Sequence, residues 1–592
     1  MMSLSFLALA LWTLDHLMNM KVPGDPRLSP DGRQCAFTMG GAIHIQSVAG
    51  GAPREHAKGS RPRWSPDSRN LAYLHGGAIH VGGAIRKARG PVVSFEWLPN
   101  GSGFAAIVAD PSAAPDPDVA GQGYRFARLW LLPPDKELRV VSAPNRHVVS
   151  FSVSPDSARA VYAAQPTPRN RDSFQIDLYT VDLATGAETP LVLQPGRDGD
   201  PSFSPDGRLV AFHSQAGALN YFEARHVGVV AAGGGPVKYI TENSTLDVFR
   251  GGNSFAWAPN ATAITYAAGQ GVRDVLARTE IASGREAILA TNVSGGAPTG
   301  AYLKTSVEHP PEVYLLEGGK ERQLTHIHDG LATMPKPKSE VVRWKSSDGV
   351  DVEGVLWLPP GYAGGRLPLL TELHGGPTGA ALHAFPVPRT YPTQLFLQSG
   401  MGVFVPNFRG SSNYGAAFRL RNTLSQGVGD YADVMTGIDL LVARGIADPD
   451  RLGVMGWSYG GYLAASVITQ TNRFKAASVG APATDWITYY GQSDGPRETL
   501  WTYFAGTPWD VPDNYQRHSP RSGLGAIRTP TLLQVGSLDI NHNAEIFQAL
   551  TDRGVPVEYV VYPREGHGIT EPAHVRDLME RNYRWFARWL LK

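Results

Sequence analysis

The stretch Gly456-Trp457-Ser458-Tyr459-Gly460 constrains this chain more than any other. Before it runs Arg451-Leu452-Gly453-Val454-Met455, an apolar segment that reads as a buried parallel strand. After it runs Gly461-Tyr462-Leu463-Ala464-Ala465-Ser466-Val467-Ile468, which reads as a helix packed closely on the sheet. A strand that turns at once into a helix leaves no room for side chains beside the turn. Gly456 and Gly460 therefore fit where larger residues would clash. The turn sets the Ser458 hydroxyl at the exposed edge of the sheet, next to the first amides of a helix. A lone G-x-S-x-G arises often by chance in glycine-rich turns. The flanking strand and helix, and the partners that follow, favour a nucleophile over a structural turn.

A serine hydroxyl is a poor nucleophile until an imidazole takes its proton, and the imidazole needs a carboxylate to fix its tautomer. Downstream of Ser458, Asp539 sits in Gly536-Ser537-Leu538-Asp539, just past the apolar strand Leu532–Val535. His567 sits in Glu565-Gly566-His567-Gly568, just past the strand Val557–Tyr562. Both are loops at the carboxyl ends of strands, the edge on which the Ser458 turn also lies. The order Ser, Asp, His is that of α/β-hydrolases. His374, His542 and His574 compete for the base, and Asp485 and Asp494 for the carboxylate; the glycine-flanked His567 and Asp539 are preferred. Acyl transfer also needs donors aimed at the developing oxyanion. The Tyr459 amide is one, and His374-Gly375-Gly376-Pro377, after a strand, offers a second at Gly376.

The surrounding chain agrees. After the proline- and lysine-rich joint Thr333-Met334-Pro335-Lys336-Pro337-Lys338, strand and helix patterns alternate up to a last helix over Ala573–Leu591. Such alternation implies a mostly parallel sheet covered by helices.

The first half has a different grammar. Leu28-Ser29-Pro30-Asp31-Gly32 returns as Trp64-Ser65-Pro66-Asp67-Ser68, Trp97-Leu98-Pro99-Asn100-Gly101, Val153-Ser154-Pro155-Asp156-Ser157, Phe203-Ser204-Pro205-Asp206-Gly207 and Trp257-Ala258-Pro259-Asn260-Ala261. Proline followed by Asp or Asn makes a tight hairpin connection. A turn-plus-strand unit repeating every 33 to 56 residues is the mark of a propeller. Six copies are readable. Residues 300–327, with strands at Ala301–Leu303 and Glu312–Leu316, supply a seventh blade without the turn, and one insertion is expected at Asp110–Gly123. A β-sandwich would not explain the repeat. The expected organisation is an amino-terminal helix or leader remnant over 1–20, a β-propeller of about seven blades over 21–332, and an α/β-hydrolase domain over 333–592.

Composition narrows the function. The 592 residues carry 54 basic and 53 acidic side chains, a balance that gives no reason to propose nucleic acid or an anionic membrane as partner. The single cysteine, Cys35, excludes an internal disulfide and a cysteine-rich metal site, and reads as a small core residue in a strand. No cofactor or metal is expected. The apolar run Ser3–Trp12 has no basic residue before Lys21, so it reads as a trimmed leader or a helix face. A soluble protein of a bacterial-type cytoplasm or periplasm is expected, with homo-oligomerisation left open.

Taken together, Gly456–Tyr462, His374-Gly375-Gly376-Pro377, Asn407-Phe408-Arg409-Gly410-Ser411, Gly566-His567-Gly568 and the helix Thr13–Leu17 resemble the prolyl oligopeptidase family of serine peptidases. The branch they resemble holds acylaminoacyl peptidases and bacterial dipeptidyl aminopeptidases. The resemblance implies a propeller that caps the site and admits short or unfolded peptides. It also implies a pocket between Ala483 and Gly506, with Trp486, Tyr489, Tyr490, Trp501 and Phe504 as walls and Arg497 as a carbonyl or carboxylate ligand; ordinary core packing is the alternative for the aromatics. Two features depart from the family pattern. The segment after Asp539, Ile540-Asn541-His542-Asn543-Ala544, is shorter than usual. No Glu-Glu dipeptide is present to bind a peptide amino terminus, although a single carboxylate such as Glu223 could serve. The expected function is hydrolysis of short peptides through an acyl-enzyme. An isopeptidase acting on lasso-peptide bonds and a carboxylesterase are the alternatives, and a binding protein with a vestigial hydrolase is disfavoured by the complete triad.

Overall fold

The computed structural model describes residues 11–111, 123–133, 138–248, 255–295, 300–387, 389–493, 495, 497–539 and 543–592. Among these residues, seven small antiparallel sheets follow one another along the chain. Six have four strands, spanning 24–58, 60–86, 92–140, 147–192, 198–239 and 256–291, and the seventh has three, spanning 301–323. They are the blades of a seven-bladed propeller. Because side chains alternate across a strand, each blade gives one set of residues to each neighbour. In the first blade Ala36 packs toward Leu71 of the second, whereas Cys35 and Phe37 pack on Ala301, Leu303 and Val313 of the seventh. That last contact closes the ring, and it explains why the lone cysteine is fully buried.

The repeated turn has a chemical basis. Ser29, Ser65, Ser154 and Ser204 each donate a hydroxyl hydrogen bond of 2.5–2.6 Å to the Asp two residues on. The same carboxylate oxygen accepts an amide two residues further along. The next residue is left-handed in all six copies, at Gly32, Ser68, Gly101, Ser157, Gly207 and Ala261. The Trp that opens three of the copies joins blades: Trp64 and Trp97 donate indole hydrogen bonds of 3.0 Å to the carbonyls of Arg27 and Arg63 in the preceding blade, and Trp257 donates one of 3.2 Å to Ser202 Oγ. The insertion expected at 110–123 lies largely outside the described residues.

The second half forms one eight-stranded sheet: β1 (Lys338–Lys345), β2 (Asp351–Leu358), β3 (Leu367–Leu373), β4 (Gly402–Asn407), β5 (Ala447–Trp457), β6 (Phe474–Gly480), β7 (Thr531–Gly536) and β8 (Val557–Tyr562). Their spatial order is β1-β2-β4-β3-β5-β6-β7-β8. The β1–β2 and β2–β4 pairs are antiparallel and the rest parallel, so this is an α/β-hydrolase sheet. The expected last helix runs over Pro572–Leu590 and turns Trp585 and Phe586 into the core. The short amino-terminal helix Leu14–Met18 joins this half rather than the propeller. Trp12 donates its indole to Pro335 O at 3.2 Å and buries itself with Leu17, Met334 and Phe385, while Asp15 pairs with Arg576 of the last helix.

The two halves interlock through polar side chains. Asn413 donates its amide group to Gly271 O and Asp274 Oδ1, both at 3.0 Å, and Gly271 returns its N–H to Asn413 O at 2.9 Å. Arg419 is fully buried and pairs with Asp247 of the propeller while donating to Phe222 O at 3.0 Å. Asp247 also accepts the Asn413 amide at 2.8 Å.

Candidate active site

β5 ends at Trp457 and the helix Tyr459–Gln470 begins immediately after Ser458, whose φ of 63° and ψ of −124° lie outside the ordinary wells for a side-chain-bearing residue. The glycines are a steric necessity. A Cβ at position 456 would stand 2.2 Å from Gly460 O, one at 460 would stand 1.9 Å from Leu373 O on β3, and one at 461 would stand 2.1 Å from Gly480 O on β6. The turn is squeezed by both neighbouring strands. Gly460→Ala is therefore expected to cost at least about 3 kcal/mol of stability, because backbone rather than a flexible side chain must move. A urea denaturation midpoint matching the parent's would contradict that.

The structure brings Ser458, His567 and Asp539 into one hydrogen-bonded chain. His567 Nε2 lies 2.8 Å from Ser458 Oγ, and its Nδ1 lies 2.9 Å from Asp539 Oδ2. The Asp539 hydrogen bond, helped by its charge and opposed by desolvation, holds the His567 pKa above the ordinary imidazole value. His567 keeps 57% of its side chain exposed, so the chain opens toward solvent on one side.

Several groups that the sequence did not single out hold this arrangement. Trp457 donates its indole to His567 O at 2.9 Å, tying the His567 loop to the Ser458 turn. The carboxylate of Glu565, two residues before His567, accepts from Thr570 N at 3.0 Å, Thr570 Oγ1 at 2.9 Å, Glu571 N at 2.8 Å and His574 Nδ1 at 2.9 Å. Those bonds close the loop and occupy the rival His574. They also explain why Glu565, Glu571 and His574 bring potential metal-ligand atoms within 4.8 Å of one another. The phenol of Tyr459 donates to Asp430 Oδ2 at 2.7 Å, deep in the core, where burial pushes the Asp430 carboxyl up to about 7. Asp485, a rival for the carboxylate, caps the helix Trp486–Gln492 and pairs with Arg521 at 2.7 Å. His542 and Asp494 lie outside the described residues.

The glycine loop lies against the serine. A Cβ on Gly375 would be 3.4 Å from Ser458 Cβ. His374 stacks on Phe408 at 4.3 Å and reaches Ser411 Oγ at 2.8 Å, which fastens this loop to the Asn407–Ser411 segment. Gly376 adopts φ 128°, a conformation that suits glycine. Tyr459 opens its helix, so its amide is among those with no intrahelical acceptor. From the propeller, the loop Asn220–Glu223 reaches the same place: Tyr221 Oη lies 3.2 Å from Thr378 Oγ1, and Phe222 stacks on Tyr503 at 5.0 Å.

The candidate pocket residues divide. Trp486, Tyr490 and Phe504 are buried in the hydrophobic core with Tyr459 and Tyr462. Tyr489 is half-buried, and Trp501, 40% exposed, donates its indole to Tyr490 Oη at 3.2 Å. The Arg497 side chain lies outside what the structure describes.

Residues 389–592 match the prolyl oligopeptidase family. "Uncharacterized peptidase YuxL" of Bacillus subtilis (strain 168) is 33% identical over 300 residues, covering 48% of this chain and 45% of that protein. The "Acylamino-acid-releasing enzyme" of Arabidopsis thaliana is 29% identical over 238 residues, covering 38% of this chain and 30% of that enzyme. The chain thus spans less than half the length of these two relatives. Over nearly the whole chain, the solved "Pyrococcus horikoshii acylaminoacyl peptidase" superposes with a TM-score of 0.83 at 21% identity, covering 98% of both chains, a likeness of fold. The serine turn and histidine loop thus lie in the part of the chain, residues 389–592, that matches the prolyl oligopeptidase family, and the glycine loop beside them is set on the same fold as the solved acylaminoacyl peptidase.

Proposed function

We propose that this chain is a serine peptidase that hydrolyses short peptides through an acyl-enzyme. Ser458 Oγ attacks the carbonyl carbon while His567 Nε2 takes its proton; Asp539 holds the imidazole in the tautomer that accepts it. The Tyr459 and Gly376 amides donate to the oxyanion of the tetrahedral intermediate. Collapse expels the amine, which takes the proton back from His567. A water molecule, activated by the same imidazole, then attacks the acyl carbonyl, releasing the acid and restoring the Ser458 hydroxyl. The observation that carries the reading is the Ser458–His567–Asp539 hydrogen-bonded chain beside the glycine loop. The propeller loop Asn220–Glu223 next to that loop supports a restricted entrance.

The test is mass spectrometry of products from a matched set: a peptide with a free amino terminus, the same peptide acetylated, and a ring closed by an isopeptide bond. Names of relatives that refer to acylamino-acid release make the acetylated peptide the expected best substrate. Hydrolysis of a nitrophenyl ester with every peptide left intact would replace the peptidase reading by an esterase.

A second measurement follows from the raised pKa of His567. The base must be neutral, so kcat/KM is expected to rise with pH through a midpoint above the ordinary value of about 6.5. Asp539→Asn should move that midpoint down. For stability the sign is opposite: the contribution of the His567–Asp539 pair is complete below about 6.5 and fades as pH climbs through the folded-state pKa. A midpoint identical in parent and Asp539→Asn would break the link between the two residues.

A further inference from the structure

A cavity of about 500 Å³ adjoins the serine turn, walled by Gly375 and Trp457, which flank Ser458, and by Trp357 and Tyr391. None of the aromatic residues between 486 and 504 lines it. Propeller residues Ser294, Thr305 and Pro311 complete the wall, so the space lies where the two halves meet. Glu372 of β3 lines this cavity, with Thr371 and Leu373 on either side of it buried. Its carboxylate makes no hydrogen bond or ion pair with the described residues. Arg389, the other lining residue with a permanent charge, is exposed and forms no ion pair with it.

A carboxylate in a largely apolar cavity, hydrogen-bonded to none of the polar residues that line it, is held at a cost. Desolvation pushes the Glu372 carboxyl up to about 7. The ligand that would relieve that cost is a cation. An ammonium or guanidinium in this space would meet the carboxylate, with Trp357 and Trp457 in the surrounding wall. Trp457 and Gly375 are also the residues next to Ser458, so a peptide held at the serine could extend into this space.

We propose that Glu372 and its cavity bind a cationic side chain of a peptide held at Ser458. The inference rests on the peptidase reading for the peptide, but the cation site itself does not. On one arm of the test, acetylated peptides carrying lysine or norleucine at each of the two positions on either side of the cleaved bond are compared by kcat/KM. The lysine peptide should be preferred by about tenfold or more at one of those positions, and Glu372→Gln should abolish the preference. On the other arm, calorimetry with Ser458→Ala compares N-acetyl-lysine amide with N-acetyl-norleucine amide, and again with Glu372→Gln added. Tighter binding of the lysine compound that disappears with Glu372→Gln supports the site even if no peptide is turned over, in which case only the peptidase reading falls. No lysine preference on either arm, or a preference that survives Glu372→Gln, overturns the proposal.

Discussion

Ser458→Ala is expected to lower kcat by about 10⁵-fold or more while leaving the folded structure intact, because removing the attacking oxygen removes the covalent step itself. Alanine is smaller than serine. The Ser458 side chain is not needed to fill the turn, since the glycines at 456, 460 and 461 set its shape against β3 and β6. What is lost is the proposed nucleophile and the 2.8 Å partner of His567. Residual turnover should come only from the oxyanion donors and from binding. The measurement is kcat on the best peptide of the product screen, with urea unfolding as the control. Activity within tenfold of the parent, at unchanged stability, would remove Ser458 from the mechanism and with it the acyl-enzyme.

Asp247→Ala is expected to cost about 3–5 kcal/mol of stability, because it takes the carboxylate away from a guanidinium in the interior. Arg419 is fully buried, and Asp247 meets its charge while also accepting the Asn413 and Gly415 amides at 2.8 and 3.3 Å. Replacing both partners, as Asp247→Ala with Arg419→Met, should recover part of the loss, since no unpaired charge then remains. The single variant should also weaken the attachment of the Ala416–Leu420 helix to the propeller, so that the two halves unfold in separate steps. Urea titration followed by tryptophan fluorescence reads both effects. A loss below about 1 kcal/mol would mean that water reaches Arg419, placing the pair in the class of exposed ion pairs.

Much of the proposed catalytic apparatus is legible in the sequence, for a local reason. A strand that turns directly into a helix admits only glycine two positions before and after Ser458, and that demand falls on residues a few positions apart, where sequence displays it. Parallel strands then bring all their carboxyl ends to one edge, so Asp539 and His567, each just past a strand, can be assigned without knowing any distance. The propeller is legible on similar grounds. Its Ser-Pro-Asp turns satisfy their hydrogen bonds within about five residues, and the left-handed residue that ends each turn is Gly, Ser or Ala.

What the chain does not display is which surfaces cover which side chains. Trp486, Tyr490 and Phe504 have the composition of pocket walls, and only the fold shows that residues on several other elements pack against them. Glu565 reads as an ordinary loop carboxylate until the backbone folds Thr570, Glu571 and His574 around it. Asp247 and Arg419 lie 172 positions apart, and neither carries any local sign of the other. Glu372 is one polar residue in an apolar strand; only the cavity beside it gives its missing counterion a meaning. The elements, the serine turn and the order of its candidate partners can be read along the chain, since those depend on sterics and hydrogen bonds between near neighbours. Burial, the joint between the halves and the charge left without a partner were decided by tertiary structure alone, because desolvation depends on what distant parts of the chain bring into contact.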